Sequence, residues 1–222
     1  MNSISWPANR GTAAARRMLW LPGAYHKAED FISARFAEAA QQRGAALDLQ
    51  FVDLAFDHLG DRSTVQRLRA EIVLPGQAAG VSTWLGGISL GGMIALEYAL
   101  TYPGELDGLC LLAPYLGNRM LTGQIAAHGL SQWGPGELAP ADEERRLWSY
   151  LKNRGPQSMP LYLGYGREDR FAPAHALLAA TLPAQWVDCI AGDHGWETWR
   201  QLWENFLDSR HWTRAPGAPA DA

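Results

Sequence analysis

Ser89 lies in the segment Gly87-Ile88-Ser89-Leu90-Gly91, a Gly-x-Ser-x-Gly pattern suited to holding a nucleophile. The preceding residues indicate a strand and the following ones an amphipathic helix, which places the serine in a sharp strand-to-helix turn. Small neighbours allow such a turn to close. The pattern predicts a strained serine whose hydroxyl points away from the sheet, beside a helix N-terminus that favours a developing anion. An idle serine in a glycine-rich turn is the alternative.

A serine at its ordinary pKa is a poor nucleophile and needs a base that a third group orients. We take His194 as the candidate base, because it directly follows the last predicted strand and glycines flank it at 192 and 195. The carboxyl edge of a parallel sheet is where ligands bind. A surface histidine that caps a helix is the alternative. The other histidines are His26, His58, His128, His175 and His211.

The orienting acid should also follow a strand at this edge. Asp169 is our choice, because it comes shortly after the predicted strand 161–165 and its terminal Gly166. Glu168 and Asp193 are alternatives, although Asp193 is adjacent to His194 in sequence and its carboxylate should point away from the imidazole. A solvated loop charge is the remaining interpretation of Asp169.

Short apolar runs alternate with longer amphipathic ones, which predicts an α/β fold with a mostly parallel central sheet of about six strands flanked by helices. A single domain over residues 1–222 is expected from this length. We expect the tail 215–222 to be disordered and roughly the first dozen residues to be frayed. The predicted strands are 18–21, 47–52, 81–88, 109–113, 161–165 and 185–190, and the predicted helices are 27–43, 62–74, 90–100 and 196–207.

Residues 114–160 depart from this alternation. They contain two short amphipathic pieces, 118–129 and 141–153, and no clear strand, which indicates a lid or cap insertion. Surface helices that only pad the fold are the alternative. From this segment we predict Trp133 and Trp148 as substrate contacts, together with Tyr25. The other apolar residues expected to line a pocket are Met120, Leu121, Leu130, Leu147 and Tyr150.

The composition excludes several classes of protein. Acidic residues number 23 against 19 basic ones, so no nucleic-acid partner is expected. No apolar run approaches the ~18 residues of a membrane-spanning helix. The N-terminal residues do not match a secretory signal, which favours a cytoplasmic protein, and the scarcity of lysine suggests a GC-rich bacterial genome. Asp57, His58 and Asp61 resemble a small ligand cluster, but polar loop residues explain them better, so we expect neither metal nor cofactor.

Cys110 and Cys189 are too few for a disulfide framework. The order Ser89, Asp169, His194 resembles that of the α/β-hydrolase family, and the resemblance implies a strand order in which 161–165 lies between the strands of Cys110 and Cys189. Strands two positions apart are separated by about 9.6 Å, beyond the roughly 7 Å Cα separation that a disulfide tolerates. We therefore expect both to be free, buried and catalytically idle.

The order Ser89, Asp169, His194 along the chain, each residue after a successive strand, resembles the α/β-hydrolase family. The segments Ala99-Leu100-Thr101-Tyr102-Pro103 and 109–114 are similar to a helix exit and the next strand of that family, and the resemblance covers roughly residues 17–209. It implies the family's sheet without the usual first antiparallel hairpin. It also implies an oxyanion hole formed by the amide of Ala24 or Tyr25 and that of Leu90, although the segment 21–25 departs from the common His-Gly pattern.

The resemblance implies a cofactor-free serine hydrolase that cleaves an ester or thioester of a small to medium apolar substrate through an acyl-enzyme. The same residues would serve C–C bond hydrolysis, acyl transfer or cofactor-free peroxidase chemistry. A hydrolase-fold protein that binds a small molecule without turnover is an alternative of another class. The sequence does not separate these chemistries, nor does it indicate an oligomeric state.

Overall fold

A seven-stranded sheet forms the centre of the computed structural model, which describes residues 1–8, 14–54, 63–139, 141–155 and 158–213. The strand order is β1-β3-β2-β4-β5-β6-β7. β1 is antiparallel to β3, and every other neighbouring pair is parallel. The strands are β1 (Ser3–Trp6), β2 (Arg16–Leu21), β3 (Asp48–Val52), β4 (Ser82–Ile88), β5 (Gly108–Leu112), β6 (Leu161–Gly166) and β7 (Val187–Ile190).

Helices cover both faces of this sheet, because successive side chains of a strand point to opposite sides. The helices are α1 (Ala28–Ser33), α2 (Phe36–Gln42), α3 (Ser63–Leu68) continued by a π-helical turn (Arg69–Val73) and α4 (Leu74–Ala78), α5 (Leu90–Thr101), α6 (Arg119–His128), α7 (Glu143–Lys152), α8 (Ala172–Ala179) and α9 (Trp196–Ser209). Leu19 and Leu21 of β2 belong to the core cluster that includes residues of α3, α5, α6, α7 and α8, whereas Met18 and Trp20 belong to the cluster that includes residues of α1, α2 and α9. The predicted α/β architecture is thereby confirmed.

The first strand corrects two predictions. Residues Ser3–Trp6 are not frayed but pair with β3, so the sheet has seven strands rather than about six and begins with an antiparallel edge strand. Three of the four residues are exposed, and Ile4 alone packs against the core. The strand is stabilised by backbone pairing more than by burial, so it leaves little hydrophobic pattern to recognise.

The helix predicted over 27–43 is wrong as one element, because α1 and α2 are separated at Arg35, whose φ is 63°. Phe31 and Phe36 would lie about 140° apart on a continuous helix. The left-handed residue between them brings both rings against Trp20, at centroid distances of 5.7 and 5.2 Å. The aromatic cluster therefore explains the break.

Residues 114–139 and 141–155 carry the two predicted helices, α6 and α7, and no strand. Their apolar faces join the core cluster on the side of α5. Trp148 is fully buried, and its indole N–H donates to the carbonyl oxygen of Leu116 at 2.6 Å. The segment therefore belongs to the packed body of the described protein. In the described part of the chain, no helix is both long and apolar enough to cross a membrane.

The two cysteines are free, as predicted, and β6 lies between their strands. Cys110 is completely buried, and burial, with the nearby Asp188 carboxylate, raises the pKa of its thiol. The prediction that Cys189 is also buried is wrong, because β7 is an edge strand and the residue is exposed. The apolar pattern of a strand does not distinguish an edge position from a central one.

We predict that the native protein exposes one reactive thiol. Cys189 should react with Ellman's reagent without denaturant, whereas Cys110 should react only after unfolding, since burial keeps its thiol protonated and inaccessible. Cys189→Ser should remove the native reaction and Cys110→Ser should not. Equal reaction of both thiols before unfolding would contradict the packing of β5.

Candidate active site

Ser89 occupies a strained turn between β4 and α5, with φ 51° and ψ −114°. Its neighbours must be small: a Cβ atom added at Gly87 would lie 2.3 Å from the carbonyl oxygen of Gly91, and one at Gly91 would lie 2.4 Å from that of Leu21. The backbone oxygen of Ser89 accepts the amide of Tyr115 at 2.8 Å, which joins the turn to the chain after β5. The strained conformation predicted from the sequence is thus present, and close backbone packing maintains it.

Ser89, His194 and Asp169 form one hydrogen-bonded chain. The Oγ atom of Ser89 lies 3.0 Å from Nε2 of His194, and Nδ1 of that ring lies 2.6 Å from Oδ2 of Asp169. Each residue follows the carboxyl end of a parallel strand, β4, β7 and β6 respectively. The topology therefore brings together three residues that are distant in sequence, as the sequence reasoning expected.

The geometry separates Asp169 from the two alternative acids. Glu168 accepts the backbone amide of Gly192 at 2.5 Å, which ties the loop after β6 to the loop after β7. The carboxylate of Asp193 lies beside Gly195, 2.9 Å from where a Cβ atom would stand. Asp169 is the carboxylate that contacts the imidazole of His194.

The Asp169 side chain is fully buried. Burial alone would raise the pKa of this carboxyl, but the hydrogen bonds from His194 and from the backbone amide of Phe171 outweigh it, and the pKa lies below its ordinary value. The Phe171 amide donates to Oδ1 at 2.8 Å, so both oxygens are occupied. The carboxylate is held charged and aligned with the ring.

His175 lies beneath the site and was not singled out from the sequence for any role. It is completely buried, with Nε2 2.9 Å from the carbonyl oxygen of Pro114 and with Nδ1 lacking a hydrogen-bond partner among the described residues. Burial lowers the pKa of this histidine to about 4. The ring is therefore neutral at ordinary pH, and Nε2–H donates to Pro114.

The predicted oxyanion segment lies next to the serine. The amide of His26 donates to the carbonyl oxygen of Gly23 at 3.1 Å, and Tyr25 has φ 66°, which defines a tight turn over residues 23–26. A Cβ atom added at Gly23 would lie 3.4 Å from Cβ of Ser89. Ala24 thus lies in a turn that contacts Ser89, while Leu90 begins α5, where amides have no partner within the helix.

Aromatic side chains that the sequence reasoning did not assign to the site surround His194. The rings of Phe171 and Trp199 approach the imidazole edge-on, at centroid distances of 5.2 and 5.1 Å. Trp199 lies within the predicted helix 196–207, and helical spacing does not separate a core contact from a contact with His194. Phe171 had one available signal, its position two residues after Asp169.

The predicted substrate contacts from the segment 114–160 need correction. Trp148 is fully buried and Trp133 is 3% exposed, and both belong to the hydrophobic core, so neither presents a surface to a ligand. Tyr25 is 99% exposed beside the oxyanion segment. The apolar face of α7 packs inward because it completes the core over α5, an outcome that amphipathic periodicity alone does not reveal.

Two grooves flank the loops that carry Asp169 and His194. A groove of about 330 Å³ between α6 and α8 includes Phe171, and a wider one of about 1110 Å³ between α1 and α9 includes Asp193. The wider groove also contains Glu168, Glu197 and Glu204.

Among the described residues, no group of three or more His, Cys, Asp or Glu side chains is arranged to hold a metal ion. The cluster of Asp57, His58 and Asp61 considered from the sequence lies outside the described residues, as does the tail 215–222.

Comparison with protein families gives a match to the Esterase model, described as "Putative esterase", over residues 65–207. This match spans well over half of the chain and includes Ser89, Asp169 and His194. A comparison with curated proteins found no significant match.

Several solved structures are similar in fold. FphF, a fluorophosphonate-binding serine hydrolase of Staphylococcus aureus, has a TM-score of 0.64 at 14% identity, covering 90% of this chain and 86% of that chain. A monoacylglycerol lipase of Paleococcus ferrophilus has a TM-score of 0.61 at 14% identity, covering 94% and 98%. Est1E of Butyrivibrio proteoclasticus, solved with ferulic acid, has a TM-score of 0.60 at 13% identity, covering 93% of each chain.

We predict that the buried His175 makes folding stability depend on pH. A pKa near 4 in the folded chain, against about 6.5 when unfolded, means that the unfolded chain binds the proton first, so stability falls as pH falls from about 6.5 towards 4. Between pH 7.5 and 5 this amounts to about 2 kcal/mol of unfolding free energy. Asp169 acts in the same direction but only below its ordinary pKa of 3.8.

Urea unfolding at the two pH values, followed by tryptophan fluorescence, measures this contribution. His175→Gln retains a donor towards Pro114 without titrating, and it should lose most of the pH-dependent difference. His128→Gln, at an exposed position on α6, is the matched control and should keep it. An unchanged pH dependence in the His175 variant would mean that this ring titrates normally in the folded protein.

Proposed function

Because the chain belongs to the Esterase family and has the α/β-hydrolase fold, we propose that it hydrolyses a carboxylic ester or thioester with Ser89, His194 and Asp169 as its catalytic triad. The observation that carries the proposal is the continuous contact from Ser89 Oγ through the imidazole of His194 to the buried Asp169. A hydrolase-fold protein that only binds ligands has no need for this alignment.

In the first step, Nε2 of His194 accepts the proton of Ser89 while Oγ attacks the carbonyl carbon of the ester. The charge that develops on the carbonyl oxygen would be stabilised by the amides of Ala24 and Leu90, which flank the serine at the turn 23–26 and at the start of α5. Asp169 accepts Nδ1–H and stabilises the imidazolium.

The tetrahedral intermediate collapses when His194 returns its proton to the leaving alcohol or thiol. Ser89 is then acylated. Water enters, His194 removes its proton, and the hydroxide attacks the acyl carbon to form a second tetrahedral intermediate. Collapse releases the acid, and the proton on Nε2 restores the serine hydroxyl. The cycle consumes one ester or thioester and one water, releases one alcohol or thiol and one acid, and needs no cofactor.

The surroundings of His194 support a substrate of small to medium size with an apolar portion. Phe171 contacts the imidazole and lines the groove between α6 and α8, whose volume of about 330 Å³ lies at the lower end of ligand sites. Tyr25, exposed in the turn 23–26 whose Gly23 contacts Ser89, is a further candidate contact. We also propose that residues 1–222 form one domain, in which 114–160 is a cap packed on the core, and that the protein is cytoplasmic.

Ser89→Ala should abolish ester hydrolysis while the fold persists, because only the modest rate from binding and the oxyanion hole remains. Hydrolysis of p-nitrophenyl acetate measures activity, and a fluorophosphonate probe followed by intact mass measures covalent labelling. Ser33→Ala, on the exposed side of α1, is the control and should keep both signals. Activity of the Ser89 variant above a tenth of wild type would refute the nucleophile.

Asp169→Asn should reduce kcat/KM far more than Asp193→Asn. The amide at 169 places the wrong tautomer of His194 towards the serine, a change worth about four decades in a well-studied triad. Asp193 makes no corresponding contact with the imidazole, so its variant should stay near wild type. Measured on one ester, equal losses at the two positions would show that the orienting acid is misassigned.

A further inference from the structure

The groove between α6 and α8 combines two guanidinium groups with an apolar floor and no carboxylate among its described lining residues. Arg119 is the first residue of α6, and Arg170 directly follows Asp169. The remaining lining residues are Gly117, Thr122, Gly123, Ala126, Phe171, Pro173, Ala174 and Leu177. Two positive charges at one groove are notable in a chain with a net charge of −4.

Several arginines elsewhere in the described structure have carboxylate partners. Arg43 binds Asp208 at 2.7 Å, and Arg69 binds Glu105 at 2.6 Å. Arg119 and Arg170 form neither a salt bridge nor a hydrogen bond with another described residue, and Arg170 stacks over the ring of Phe171 at 4.7 Å. The groove therefore presents two cations whose charge no described carboxylate neutralises.

Two carboxylates adjoin the groove and are bound elsewhere. Asp169, next to Arg170 in sequence, binds the His194 imidazole and the Phe171 amide, and Glu144 lies against Gly117. Glu144 accepts hydrogen bonds from the Tyr115 hydroxyl and from the backbone and side-chain amides of Asn118, and it does not line the groove. This arrangement holds the start of α6, with Arg119 as its first residue, against α7. Glu144 therefore leaves the positive charges of Arg119 and Arg170 in the groove without a carboxylate partner.

The groove adjoins the reacting atoms. Phe171 lines it and contacts the His194 imidazole edge-on, at a centroid distance of 5.2 Å. Gly117 lines it from the other wall, two residues after Tyr115, whose amide binds the backbone of Ser89 at 2.8 Å. Two residues of chain span at most about 7 Å, so one wall begins close to the nucleophile.

We propose that this groove binds an anionic group of the ester substrate, so that the enzyme prefers esters with a carboxylate or similar anion at the end of a short apolar stretch. The apolar stretch would lie along Phe171 and Leu177, and Arg119 and Arg170 would bind the anion by charged hydrogen bonds. The inference rests on the proposed ester hydrolysis. The wider groove near Asp193 has four carboxylates against two guanidinium groups, Arg35 and Arg200, and is therefore less suited to an anion.

Matched esters test the preference on each side of the scissile bond. Mono-p-nitrophenyl adipate against p-nitrophenyl hexanoate places the anion on the acyl side, and 4-acetoxybenzoate against 4-acetoxybenzamide places it on the leaving-group side. For at least one pair, wild-type kcat/KM should favour the anionic ester by about ten- to a hundredfold, as charged hydrogen bonds provide. No preference in either pair would overturn the proposal.

Substitution of the two arginines tests whether they cause the preference for anionic esters. The double variant Arg119→Gln/Arg170→Gln should bring the anionic-to-neutral ratio close to unity, with each single variant between. Arg167→Gln is the control, since Arg167 is exposed on the same loop, donates to the carbonyl oxygen of Cys189 and does not line the groove. A ratio that survives in the double variant would refute the role of the two arginines.

A binding measurement separates this inference from the proposed reaction. Calorimetric titration with monomethyl adipate should give tighter binding to Ser89→Ala than to the same variant with both arginines replaced by Gln, and the difference should shrink at high salt. If wild type hydrolyses no ester but this difference is found, the reaction is misassigned and the anion site stands. Equal binding by the two proteins overturns the anion site.

Discussion

The hydrogen bond between the buried Asp169 and His194 is the interaction on which the site depends. A carboxylate without exposed surface is costly unless its oxygens are satisfied, and the imidazole and the amide of Phe171 supply both partners. The same bonds place the histidine at the serine and fix the chain that leads into α8. The alignment of His194 with Ser89 and the structure of the loop before α8 therefore depend on the same two hydrogen bonds to the buried carboxylate.

Close backbone packing positions Ser89 on the other side of the imidazole. Ser89 reaches the imidazole because Gly91, at the start of α5, approaches the carbonyl of Leu21 at the end of β2, and because the chain after β5 binds the serine backbone. A Cβ atom at Gly166 would lie 2.1 Å from the carbonyl oxygen of Gly192, so the loops that carry Asp169 and His194 also touch. The site is an edge where the ends of five strands, β2, β4, β5, β6 and β7, meet through close backbone contacts.

The sequence predicted Ser89, Asp169 and His194 because each lies immediately after an apolar run, and the ends of parallel strands converge. It did not predict that Trp148 faces the core, since an amphipathic helix shows one apolar face but not what covers it. The break at Arg35 escaped notice because it follows from tertiary contacts of Phe31 and Phe36 with Trp20. Local patterns identified the elements, whereas packing between distant residues determined their bends and partners.

The antiparallel β1 has a consequence for anyone who shortens this chain. The apolar pattern makes Met18 look like a natural start, but Ser3–Trp6 occupies the outer hydrogen-bonding edge of β3. Removing those residues would leave the amides and carbonyls of β3 open to pairing with any extended strand, including a second copy of the truncated protein. In this fold the least buried strand protects the edge of β3 from self-association, and a shortened chain that lacks it would be prone to aggregate.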